Sequence, residues 1–234
     1  SESDLLRLCL QLWRATGDNI WLDRAEKCLV NVFSACQFET GDFGHRCYDH
    51  WGYIATPGPG RAWWCCTMHG LRALADVADA TVTAASDGIR VNLFFSGHYE
   101  EDGFALDMSR TGGNGGTFTY NIRFSRVEPD AREKALLIRY PEWAGPIAAR
   151  VNGQPVQPEI SNGYGRITGP WHTRDTVEVA VTCRVRMLSR DGSEIKEPLP
   201  DQPFEAALFV GPWLMAVSAA VNPMFHGEPY LENV

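Results

Sequence analysis

The sequence predicts a mixed fold, helical over residues 1–82 and all-β beyond them, with the β part an antiparallel sandwich. Three observations predict it. Apolar residues recur at helical spacing through the first stretch and again over 67–80. After Ser86-Asp87-Gly88 the period changes to two. Short alternating segments then follow one another between turn signals, the pattern of a β-sandwich.

In order, Leu5, Leu6, Cys9, Leu10, Leu12 and Trp13 mark a first helix, and Gly17-Asp18 a stop followed by an N-cap. Leu22, Ala25, Cys28, Leu29, Val32, Phe33 and Cys36 then keep a 3.6-residue period from Ile20 onward. Two helices joined so tightly form an αα-hairpin, whose apolar faces need other helices or the β region to cover them. Residues 39–62 read as loop, and Thr67 to Ala80 as a third helix. Strands are expected at 89–95, 117–124, 135–140, 148–151, 165–168, 176–181 and 206–210, with Asn152-Gly153 a hairpin turn. Residues 83–188 make the first β-domain, and 189–234 continue it or begin a second lobe.

A net charge of −8 and no basic stripe argue against nucleic acid or an anionic membrane as partner. No apolar run approaches the ~18 residues of a spanning helix. The seven cysteines, at 9, 28, 36, 47, 65, 66 and 183, are odd in number and irregularly spaced, which favours reduced, cytosolic-type usage. The chain opens at Ser1 without a methionine, so an upstream segment is expected, and any leader would lie there. There is no P-loop, no G-x-G-x-x-G after a strand and no G-x-S-x-G elbow.

The sharpest chemical signal is Cys65-Cys66 in Trp63-Trp64-Cys65-Cys66-Thr67-Met68-His69-Gly70. Adjacent cysteines make a poor structural disulfide but good neighbours for a soft metal or a reactive thiolate. The plainer reading is two small residues buried at a helix start. His69, four residues after Cys65, shares its helical face and can add a ligand or sit solvated. Glu26 falls off the apolar face of its helix, a position that is ordinarily solvated. Trp51, Tyr53, Trp63 and Trp64, with Tyr48 nearby, can form a sugar-stacking wall or a packing seam.

Thr16-Gly17-Asp18, Asp23-x-x-Glu26-x-x-Leu29-x-Asn31, the Cys65-Cys66 pair, Val91-Asn92-Leu93 and Ile138-Arg139-Tyr140-Pro141-Glu142-Trp143-Ala144 follow one another in the sequence. Val151-Asn152-Gly153, Gly163-Tyr164 with Trp171, and Ala207-Leu208 before Gly211-Pro212 continue the series. In that order these pieces resemble the β-L-arabinofuranosidase family, glycoside hydrolase family 127, and its close relatives. The resemblance implies the last helices of an (α/α)6 barrel followed by β-sandwich domains, in a retaining glycosidase whose nucleophile is a zinc-bound cysteine thiolate. On it, Cys65 is nucleophile and zinc ligand, Cys66 a second ligand, Glu26 a sugar-holding residue and Tyr48 an aromatic of the pocket. The remaining zinc ligands, a Glu-x-Cys pair, and the acid/base glutamate would lie upstream of Ser1, so residues 1–234 alone are expected to be inactive. Thr67-Met68-His69 departs from the Pro-Pro-Asn or Gly-rich run common in the family, so His69 can alter the sugar accepted. The competing expectations are a non-catalytic carbohydrate-binding or structural module, and an inactive family member.

Overall fold

Leucine, cysteine and tryptophan at helical intervals build the first element as expected. In the computed structural model, which describes residues 2–38, 40–44, 63–86, 88–101, 103–112, 116–197 and 206–215, helix α1 (Glu2–Thr16) buries Leu6, Cys9, Leu10 and Trp13. Gly17 ends it in the left-handed region (φ 69°), with its N–H on the Trp13 carbonyl at 2.7 Å. The Asp18 carboxylate accepts the Ile20 N–H at 3.0 Å, opening α2 (Ile20–Cys28), which packs on α1.

The helical period expected to run to Cys36 stops at Cys28. Leu29–Phe33 is a π-helical turn and Ser34–Cys36 a 3-10 turn, because side chains there compete for backbone groups. Ser34 Oγ donates to the Leu29 carbonyl. Asn31 Nδ2 donates to the carbonyls of Lys27 at 2.9 Å and Pro212 at 2.7 Å, and its Oδ1 accepts the Leu214 N–H at 2.7 Å. The third helix, α3 (Trp64–Thr81), begins ahead of the expected Thr67, so Cys65 and Cys66 occupy its first turn.

Beyond α3 the described residues are mostly β-sheet. Strands β1 (Val82–Ala85), β2 (Gly88–Val91), β6 (Ala135–Arg139), β10 (Tyr164–Ile167) and β9 (Glu159–Ser161) lie side by side in that order. A second sheet runs β3 (Gly97–Glu101), β4 (Phe104–Gly112), β5 (Thr117–Val127), β11 (Thr176–Cys183), β7 (Ala144–Val151) and β8 (Gln154–Val156). Inward residues of both, Ile89, Val91, Leu136 and Ile138 from the first and Leu106, Ile122, Val177 and Val179 from the second, share one apolar core. A small sheet joins β12 (Val185–Leu188), β13 (Ala207–Val210) and β14 (Trp213–Leu214).

The sequence expectation is corrected at three places. The β part is not wholly antiparallel: β2 and β6 pair in parallel, Val91 opposite Ile138, because the chain passes through the other sheet between them. The strand expected to reach Phe95 stops at Val91, where Asn92 turns to other partners. The β3–β4 hairpin carried no alternation to read: β3 is a largely exposed edge strand, and a register shift between Ala105 and Leu106 puts three consecutive buried residues in β4. The Asn152-Gly153 turn forms as expected, with φ 49° and 80° linking β7 to β8.

Helices and sheets are joined by a buried charge network. Arg139, at the end of β6, is 0% exposed, and its Nη2 donates to Asp23 Oδ1 and Glu26 Oε2 of α2, both at 2.7 Å. Its Nη1 donates to the Asn92 carbonyl at 2.6 Å, while Trp143 Nε1 donates to the same Glu26 oxygen at 2.6 Å. Burial alone would favour loss of the guanidinium proton, but the charges of Glu26 and Asp23 hold its pKa above the usual arginine value. Arg139→Met is predicted to leave two buried carboxylates facing each other and to cost about 3–5 kcal/mol. Urea unfolding measures this, and adding Asp23→Asn with Glu26→Gln should return most of the loss.

Candidate functional site

The first turn of α3 is fastened to the loop that follows the 3-10 turn. Trp63 N–H donates to the Phe43 carbonyl at 3.1 Å, and the Phe43 N–H donates to Thr67 Oγ1 at 3.1 Å. Gly70 is buried against the Phe43 ring so closely that a Cβ there would overlap it. Phe43 in turn packs on Phe33, their ring centroids 4.8 Å apart. On the other side, Arg7 Nε of α1 pairs with Asp76 Oδ2 of α3 at 2.5 Å.

These contacts enclose a recess of ≈290 Å³. Phe33 and Phe43 supply apolar lining, Cys65, Cys66 and His69 come from α3, and Cys36 comes from the 3-10 turn. Glu2, Ser3 and Asp4 at the start of α1, with Gly44, complete it. Cys65 and His69 are exposed and Cys66 is half-buried. The two sulfurs lie 4.0 Å apart, close to the separation of about 3.8 Å that two thiolates take on a tetrahedral zinc at 2.3 Å. The pair therefore fits two positions of a zinc site. Among the described residues no three of His, Cys, Asp and Glu gather into a metal-holding set. The positive end of the α3 dipole favours negative charge at the pair, whereas burial, then the Cys65 thiol, push the Cys66 thiol up.

The structure thus brings together Cys65, Cys66 and His69. Glu26 does not line this recess. The solvated position expected for it is corrected: it is 4% exposed, its carboxylate taken up by Arg139 and Trp143. Tyr48 lies outside the described residues, as do His45, Cys47, Trp51 and Tyr53. Trp63 and Trp64 are exposed and line none of the recess. Sequence reasoning missed Glu2, Phe33, Cys36 and Phe43. Cys36 carried a signal, as the last residue of a helical pattern just ahead of a loop. Phe43 carried none, because it enters through the α3 contact.

The remaining described thiols are set apart by burial. Cys28 and Cys183 are both pushed up to about 11, chiefly by desolvation, so at pH 8 they stay protonated. In metal-free protein, iodoacetamide at pH 8 is predicted to modify Cys65 first and to spare Cys28 and Cys183 until denaturant is added. Peptide mass mapping against time measures the order.

Residues 88–183, from β2 through β11, match the family model described as β-L-arabinofuranosidase, GH127 middle domain. No curated protein matches the chain. Among solved structures, a protein described as a glycoside hydrolase superposes with a TM-score of 0.67 at 22% identity, over 90% of this chain and 36% of its own. A GH127 β-L-arabinofuranosidase from Geobacillus stearothermophilus T6 gives 0.60 at 18% identity, over 91% and 35% respectively. A further GH127 β-arabinofuranosidase gives 0.63 at 18%, over 90% and 35%. The chain spans about a third of the length of these structures. Residues 88–183 are thus similar to the middle domain of the GH127 β-L-arabinofuranosidases, and the chain as a whole shares its fold with these larger structures.

Proposed function

We propose that this chain is part of a retaining glycoside hydrolase whose nucleophile is the Cys65 thiolate, with Cys65 and Cys66 as two of the ligands of a zinc ion. The substrate class is a carbohydrate carrying a terminal β-L-arabinofuranosyl or related group. On this reading, helices α1 to α3 are the last of an (α/α)6 barrel and the two larger sheets are its β-sandwich. The observation that carries it is the pair of sulfurs 4.0 Å apart, opening on a small recess, in a chain with a GH127 middle domain.

Bound zinc would supply the positive charge that keeps the thiols deprotonated at neutral pH. The Cys65 sulfur attacks the anomeric carbon as the bond to the leaving oxygen breaks. That oxygen takes a proton from a general acid, which the family resemblance places outside these residues. The resulting carbon–sulfur bond breaks when water attacks the same carbon and gives its proton back to that same acid/base residue, restoring the thiolate and the starting configuration. Phe33 and Phe43 offer the sugar an apolar surface and displace water from one side of it.

A second reading, a carbohydrate-binding or inactive member of the family, is favoured by the engagement of Glu26 with Arg139 and Trp143. Metal analysis of the intact natural protein separates the readings. About one equivalent of zinc per chain is expected, reduced by Cys66→Ser, together with release of nitrophenol from 4-nitrophenyl β-L-arabinofuranoside that Cys65→Ser abolishes. Residues 1–234 alone should release none. Zinc without turnover on any sugar identifies the inactive member, and absence of zinc with unchanged glycan binding identifies the module.

A further inference from the structure

Resting on the reading of Cys65 as nucleophile, we infer that His69 is the side chain that contacts the bound sugar's hydroxyls and sets which pentose is accepted. His69 lines the same recess as Cys65 and is exposed to it. The two stand four residues apart on α3, which places their Cβ atoms about 5–6 Å apart on one face. An anomeric carbon held at the Cys65 sulfur therefore presents its ring hydroxyls within reach of an imidazole one turn further along.

The backbone that carries His69 is held firmly. Its neighbour Gly70 is pressed on the Phe43 ring, and Thr67 is hydrogen-bonded to the Phe43 backbone. A side chain presented from so fixed a turn can discriminate by geometry.

The size of the recess sharpens the point. At ≈290 Å³ it sits at the small end of ligand pockets, room for one sugar unit. Phe33 and Phe43 cannot distinguish hydroxyl epimers, because an apolar surface makes no hydrogen bond. Discrimination falls to the polar lining. Among the described lining residues, His69 alone shares the nucleophile's helical face, and it can donate at one ring nitrogen and accept at the other.

The test compares His69→Ala, His69→Gln and Cys65→Ser in the intact natural protein on 4-nitrophenyl L-arabinofuranoside and its xylofuranoside counterpart. His69→Ala should raise KM for the arabinoside about tenfold and leave kcat within about twofold, the loss of one hydrogen bond made equally to bound and reacting sugar. The preference for arabinoside over xyloside should fall by about as much. His69→Gln, which keeps a donor and an acceptor, should recover most of both. Zinc content and melting temperature should be unchanged. Unchanged KM and preference in His69→Ala would overturn the assignment, as would loss of zinc, which would make His69 a ligand. Turnover surviving in Cys65→Ser would instead overturn the nucleophile. If the natural protein turns over neither glycoside, calorimetric binding of L-arabinose decides: weakening of about tenfold in His69→Ala supports the role, and unchanged affinity sinks it.

Discussion

The arrangement of helices against sheets depends on one guanidinium. Arg139 sits on β6 opposite Tyr164, with Asn92 beside them following β2, and these three buried polar side chains cross the sheet at one level. Asn92 takes the Tyr164 hydroxyl at 2.6 Å on its Oδ1 and donates to the Ala80 carbonyl of α3 and to Thr83 Oγ1 of β1, both at 2.9 Å. Arg139 then reaches across to Asp23 and Glu26. A buried pair of this kind adds less net stability than an apolar contact of equal volume. What it supplies is register, because a helix displaced along the sheet would strand two carboxylates in a dry interface.

The same junction shapes the recess. Glu142, next to the Arg139 turn, accepts from Arg186 Nη1 at 3.0 Å and lies 3.6 Å from Lys27 Nζ of α2. Arg186 Nη2 reaches the Gly211 carbonyl at 3.3 Å, and Asn31 is bonded to the neighbouring Pro212 and Leu214. The π turn is thus anchored by Glu26 ahead of it and by Asn31 within it, and its far end delivers Phe33 and Cys36 to the thiol pair. The Pro141-Glu142-Trp143-Ala144 segment, read from the sequence only as a family mark, has a physical task here. It ties α2 to the sheets, and through them it sets the wall opposite α3.

Much of this was legible in the sequence, and the failures have physical causes. Helices with one continuous buried apolar face, such as α1, are legible from their spacing. Alternating strands with one buried face, such as β5 and β11, were read from the period of two. The π turn was invisible because its apolar residues keep helical intervals while Asn31 and Ser34 unwind the backbone. The parallel pairing of β2 with β6 was invisible because it is set by how the chain crosses between sheets. At the candidate site, Cys65, Cys66 and His69 were found because they are contiguous and chemically unusual. Cys36 and Glu2 join them only through tertiary packing.

Glu26 shows why a single periodicity analysis fails at a junction. Measured against the apolar stripe of α2 it falls off the face, and an off-face glutamate is ordinarily wet. Yet α2 has two buried faces: an apolar one on α1 and a polar one on the end of β6. The second face leaves no hydrophobic stripe, because its partner is a cation. It does leave a different trace. Asp23 and Glu26 are three residues apart, and like charges at that spacing disfavour an isolated helix by about 0.2–0.5 kcal/mol. Such a pair persists inside a fold where one cation can serve both, and here both carboxylates converge on a single nitrogen of Arg139. A carboxylate pair at helical spacing beside a strand ending in arginine is therefore itself evidence for a buried helix–sheet junction. That reading accounts for Glu26 by charge where the apolar pattern could not.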